Sequence, residues 1–138
     1  MSRNDERGQV TVLILGMALL AFAVAGLAVD GTRAWLLRRS LQNAADAAAL
    51  AGASELDRGT YYASGGRIVT LDPASGEATA KRWLDARGTG AGTVVSATDD
   101  GVAVRVSARM QTSFLALVGI TTLEVAVEAD AVPIAGTP

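Results

Sequence analysis

Asp99 and Asp100 stand side by side ahead of Gly101 and offer two carboxylates to a cation. A Ca²⁺ ion takes about six to eight oxygen ligands, and no ligand-loop spacing follows these two acids, so they read as turn residues. Ser64-Gly65-Gly66-Arg67 has the glycines of a phosphate loop. It lacks the Lys-Ser/Thr ending, no helix opens after it, and it reads as a plain loop. Trp83, beside Lys81 and Arg82, offers a ring for stacking, yet on the apolar face of a short helix such a ring reads as core. The chain contains neither His nor Cys. Without them no zinc, haem or thiolate site of the usual ligand types can form, and there is no Cys nucleophile or His base. The residues therefore point to a non-enzymatic protein with no cofactor, no metal and no small-molecule substrate. A net charge of −2 supplies no basic field for nucleic acid. The absence of disulfides does not decide the compartment.

What remains is the distribution of the apolar residues, which make up 50% of the chain and crowd its front. From Gln9 to Val29 no charge occurs, and Val10–Val29 is apolar apart from Thr11, Gly16 and Gly26. Twenty helical residues cover roughly 30 Å, the thickness of a bilayer's hydrocarbon core. A single transmembrane helix over 10–29 is the reading, behind an N-terminal flank at 1–9. A cleaved signal peptide is the alternative, with Ala23-Val24-Ala25 as a small-x-small site before Gly26. Its apolar region would be shorter, about 7 to 15 residues, and its flank would lack acids such as Asp5 and Glu6. Arg3 and Arg7 before the span, against Arg33, Arg38 and Arg39 after it, leave orientation undecided with a slight bias toward a cytoplasmic C-terminal side.

The helix has no reason to stop at Val29. No Pro occurs before Pro73, and Ala34 to Ala51 is rich in Ala, Leu, Arg and Gln. The sequence predicts continuous helix to about Leu56, roughly 70 Å in all, with 30–56 as an extension beyond the membrane. Within it Leu37, Leu41, Ala44, Ala48 and Ala51 recur at spacings of 4, 3, 4 and 3, a narrow heptad stripe opposite Arg38, Arg39, Gln42, Asn43 and Asp46. Small residues let helix backbones approach closely, so Gly16 and Gly26 in the span join Leu37, Leu41, Ala44, Ala48 and Ala51 as a candidate helix-packing interface. That stripe either packs on the chain's own distal domain or also meets other subunits. Asp30 and Arg33, three apart on one face, form a candidate interfacial ion pair, with a register-setting role for Asp30 as the alternative.

A small α+β domain follows over 57–132. Asp57 to Thr70 reads as irregular chain leading to a short strand at Arg67–Leu71, punctuated by Asp72-Pro73. Gly76–Arg87 reads as a helix with Ala80, Trp83 and Leu84 on one face, stopped by Gly88. Thr93–Thr98 and Val102–Ala108 read as a hairpin turned at Asp99-Asp100-Gly101. Thr112–Val118 reads as a short helix capped by Thr112 and ended by Gly119. Leu123, Val125, Val127 and Ala129 alternate with Glu124, Glu128 and Asp130 as a third strand whose acids face solvent. The expectation is an antiparallel sheet of three or four strands packed on the distal half of the long helix. Its core would be the alanine stripe, Trp83, the valines and Phe114. Residues 133–138 read as a flexible tail.

Arg7-Gly8-Gln9-Val10, the span closing on Gly26-Leu27-Ala28-Val29-Asp30, and the string Arg38-Arg39-Ser40-Leu41-Gln42-Asn43-Ala44-Ala45-Asp46-Ala47-Ala48-Ala49-Leu50-Ala51-Gly52-Ala53 resemble the N-terminal module of TadG-like and TadE-like proteins of Tad (Flp) pilus assembly. The resemblance implies a bacterial plasma (inner) membrane protein with its N-terminus cytoplasmic and its globular domain outside. It implies a minor-pilin-like or assembly component of pilin-like architecture, with the lipid bilayer, other Tad components and further copies of itself as partners. The Asp-x-Ser-x-Ser metal motif of larger relatives is absent. The fifth residue after Gly8 is Leu13, where processed pilins carry Glu. A secreted, signal-cleaved binding protein and a single-pass membrane sensor stand as the other functional readings.

Overall fold

The computed structural model describes residues 3–89 and 92–134, with side chains from Gly8 onward. Gly90 and Ala91, and most of the expected tail, fall outside the described residues. The chain folds as two compact units: the residues up to Trp35 with Met110–Leu123, and Leu36–Arg109 with the chain from Glu124 onward.

One helix, α1 (Arg3–Ala53), runs through the apolar stretch and the alanine-rich stretch without a break. It contains no Pro, and every peptide group in an apolar stretch is satisfied within the helix itself. From Gly8 to Val29 every residue is exposed except Gly26. Among the described residues this is the one helix long and apolar enough to cross a membrane. An apolar surface so complete belongs in lipid or against a partner, because a water-facing helix needs a polar side.

The second unit is built around the other end of α1. Ala44, Ala45, Ala48, Ala49 and Ala53 form a buried face with Leu41. Against it stand Leu71, Ala80 and Leu84, and the valines Val95, Val102, Val104, Val106 and Val127. The sheet has β1 (Thr93–Thr98), β2 (Gly101–Gln111) and β3 (Thr122–Ala131), with β2 central. β1 pairs antiparallel with β2, Val95 opposite Val104 and Thr98 opposite Gly101 across the Asp99-Asp100 turn. Along β2, Val102, Val104 and Val106 are buried, the period-two alternation of a sheet covered on one face. Glu124, Glu128 and Asp130 on β3 face solvent, and Glu128 pairs with Arg105 at 3.0 Å.

Several elements differ from the sequence reading. Arg67–Leu71 is not a strand: Leu71 alone makes an isolated bridge, to Leu56, and the chain before it holds a short helix, α2 (Arg58–Ala63). The Asp57 side chain accepts the N–H and hydroxyl of Thr60, capping α2 where composition pointed only to loop. The next helix, α3 (Pro73–Asp85), opens three residues earlier than Gly76. Asp72 is its N-cap, accepting from the Ser75 N–H, and Pro73 sits in the first turn, where a missing N–H costs nothing. Phe114 is absent from the valine core. It lies in the first unit, immediately before a 3₁₀ turn (Leu115–Val118) in the link from β2 to β3 that ends on left-handed Gly119. Thr112 does not cap that turn; its hydroxyl donates to the Ile120 carbonyl.

Candidate functional site

In the first unit the carboxylate of Asp30 is fully buried. Its Oδ1 accepts the N–H of Ser113 at 3.0 Å, and its Oδ2 accepts the N–H groups of Phe114 and Leu115, each at 2.8 Å. A 3₁₀ turn opens with N–H groups that have no partner inside it, and Asp30 supplies that partner from another element. Arg33 donates to the Ser113 hydroxyl at 2.9 Å and stands 3.9 Å from Asp30 Oδ1. The Asp30–Arg33 pair is thus loose, and the tight partners of Asp30 are three backbone amides. The N–H groups of Leu115 and Ser113 hold the Asp30 carboxyl below its ordinary value of 3.8, burial opposes them, and Phe114 and Arg33 add to the lowering.

Beside this clasp the Phe114 ring lies 5.9 Å from Phe22, tilted at 60°. It also covers Gly26, where a Cβ would fall 2.5 Å from Phe114 Cβ and Cγ. Gly26 therefore serves a close approach, to an aromatic ring of the same unit. Gly16 differs: a Cβ there would meet nothing within 4 Å.

In the second unit the stripe predicted from heptad spacing is carried by Leu41, Ala44 and Ala48, which are buried, and by Leu37, half-buried against the core. Ala51 is only half-buried, whereas Ala45, Ala49, Gly52 and Ala53 are buried. The helix period of 3.6 rather than 3.5 turns the packed face steadily around the cylinder, so the stripe widens toward these positions. Gly52 is the tightest point. A Cβ there would stand 2.8 Å from the Gly76 carbonyl, and one on Gly76 3.1 Å from the Gly52 carbonyl. Helices α1 and α3 touch backbone to backbone where both residues are glycine. Gln42 fastens the same region, donating to Asp46 Oδ1 at 2.8 Å and to the Glu128 carbonyl at 3.0 Å.

Sequence reasoning named Asp30 and Gly26 but not their partners at 113–115, which lie some eighty positions away and leave no local pattern. Gly52 and Gly76 were also missed. A Gly inside a helix costs stability relative to Ala, and that cost is a signal pointing to Gly76 in α3, whereas Gly52 is the last residue but one of α1. Trp83, named as core, is half-buried against it, with the Arg87 guanidinium 3.3 Å over the ring. A groove between Leu37, Leu41, Val106 and Ala108 is flanked by Arg109 and Glu124, which pair with each other at 3.7 Å. Among the described residues no three potential metal ligands come together.

These arrangements hold backbones and rings together. No curated protein and no solved structure matches the chain. A family model does: residues 8–55, which hold the exposed apolar helix, the Asp30 clasp position and the alanine face, match the Tad model, Flp pilus-assembly TadE/G-like, and over that stretch the chain is similar to this family.

Proposed function

We propose that the protein is a membrane-anchored, minor-pilin-like component of a Tad/Flp pilus or a related secretion assembly, acting by helix packing and by an interaction domain rather than by catalysis. In this reading 10–29 cross the plasma membrane from a cytoplasmic N-terminus, and 30–56 carry the helix into an extracytoplasmic domain. The observation that carries it is the coincidence of the TadE/G-like match with a helix exposed at every position from Val10 to Val29 except Gly26. Exposed apolar surface of that length is stable only in lipid or against another apolar helix, and both are supplied in a membrane-embedded assembly.

The alanine face supports a division of labour along α1. Leu41, Ala44 and Ala48 are taken up by the chain's own core. Contacts with other subunits then fall to surfaces that stay open, such as Gly16 and Leu20 in the span and Asn43 on the extension.

The test is photo-crosslinking in cells that assemble the pilus, from a photoreactive residue at Leu20 or Asn43, together with alkaline extraction of membranes. Retention in the extracted membrane and capture of a Tad component or a second copy are expected. Release into the alkaline supernatant would remove the anchor. A retained protein that captures no such partner from either position, in cells whose piliation survives deletion of the gene, would remove the assembly role. Labelling of an Asp100→Cys variant on intact cells with a membrane-impermeant maleimide reads the orientation.

A further inference from the structure

The link between β2 and β3 carries an exposed apolar surface that the anchor does not explain. Leu117 is 78% exposed, Val118 73% and Ile120 45%. The run Phe114-Leu115-Ala116-Leu117-Val118-Gly119-Ile120 has no charge, and it is bounded by polar residues, Gln111-Thr112-Ser113 before it and Thr121-Thr122 after it. Within the first unit this turn lies along α1, where Leu19, Phe22 and Leu27 line a shared apolar cleft with Phe114, Leu117 and Val118.

We infer that the Phe114–Ile120 turn is a second membrane-inserted element, its Leu117, Val118 and Ile120 side chains lying in the acyl region of the same leaflet that receives the end of the span. The inference rests on the reading that Val10–Val29 cross the bilayer. Phe22 lies about seven residues before Val29, about 10 Å along the helix, so a turn stacked on Phe22 and Gly26 reaches below the span's end. Sliding the span toward the N-terminus to leave the turn in water would draw Arg3, Asp5, Glu6 and Arg7 into hydrocarbon, which is costly.

Backbone chemistry makes the insertion tolerable. Irregular chain is excluded from lipid when its N–H groups lack partners. Here Ser113, Phe114 and Leu115 donate to Asp30, Leu117 donates to the Phe114 carbonyl, Gly119 to Ala116 and Ile120 to Leu115. Thr112 donates to the Thr121 carbonyl and closes the base of the loop. A turn with these amides satisfied and its apolar side chains outward meets the requirement for entering the acyl boundary, as amphipathic elements do to about 5–10 Å.

The chain has no Cys, so single nitroxide labels can be placed without background. Leu117→Cys, Val118→Cys, Leu20→Cys and Asp100→Cys variants of the full chain would be labelled and reconstituted into vesicles of phosphatidylethanolamine and phosphatidylglycerol. Collision with oxygen and with a water-soluble nickel chelate is then measured. The expected result is that Leu117 and Val118 labels behave like Leu20, colliding readily with oxygen and several-fold less with nickel than the Asp100 label. Nickel collision equal to that of Asp100, with Leu20 still in lipid, would overturn the inference and leave the anchor standing. Protection from both reagents would place the turn against a second copy and also overturn it. A Leu20 label in water would remove the anchor and the inference together.

Discussion

The Asp30 carboxylate accepts the backbone N–H of Phe114 at 2.8 Å, although the two residues are 84 positions apart. A charged side chain on the helix is thereby committed to a turn between two strands, and its burial is compensated by three amides and one guanidinium. Buried carboxylates are tolerated where donors surround them, and this one gains more from those donors than burial takes away.

Replacing Asp30 by Asn exchanges an acceptor oxygen for an N–H₂ donor that faces amides already donating. Exchange of the Ser113, Phe114 and Leu115 amides should accelerate by at least about tenfold, while Val104 and Val106 keep their protection. Hydrogen exchange on the reconstituted chain reads this directly. Unchanged exchange at 113–115 would mean that the turn is held by its apolar contacts alone.

Acidification should act on the same clasp, with a defined sign. The Asp30 pKa is lowered in the fold, first by the Leu115 N–H and then by Ser113. A lowered folded value means the stabilisation is complete above the unfolded carboxylate value, about 3.9, and is lost as pH falls through the folded value beneath it. The Leu115 amide resonance should therefore stay constant from neutral pH down to about pH 5 and move only below the ordinary carboxylate range. A midpoint above about pH 4 would contradict the arrangement. Asp57 is lowered as well, mainly by the Thr60 hydroxyl, so the first turn of α2 should hold over the same range.

Gly52→Val should destabilise the second unit by about 1–3 kcal/mol, since the new side chain meets the Gly76 carbonyl at 2.8 Å and backbone cannot swing away. Thermal unfolding followed through the near-ultraviolet signal of Trp83 would show it. An unchanged midpoint would mean that α1 and α3 can separate without loss.

Gly16→Leu separates folding from assembly. Nothing stands within 4 Å of the added Cβ, so the chain's own stability should not fall. If Gly16 lets another helix approach within lipid, crosslinking through Leu20 should drop several-fold. Equal crosslinking in variant and wild type would take Gly16 out of the interface.

Gly52 and Ala51 show where periodicity stops being informative. A stripe of alanines announces that some face of α1 is packed, but spacing of three and four residues does not say which neighbouring column the contact reaches. The neighbours decide it: Ala80, Val102 and the Gly76 backbone crowd Gly52. The strand alternation of Val102, Val104 and Val106 was legible because a sheet with one covered face repeats every two residues. Arg67–Leu71 was misread since β-rich composition cannot reveal that an Asp57 cap winds the preceding chain into a helix.

Local chemistry along the chain was enough to establish a charge-free helix of membrane length, its continuation into an alanine-lined face, and a hairpin turned at Asp99-Asp100. Each of these depends on residues within a few positions of one another. The partner of Asp30, the placement of Phe114 on Gly26 and the glycine contact between α1 and α3 were decided only in three dimensions. They join segments distant in sequence, and the energy that selects them comes from desolvated amides and close-packed atoms, which exist only once those segments have met.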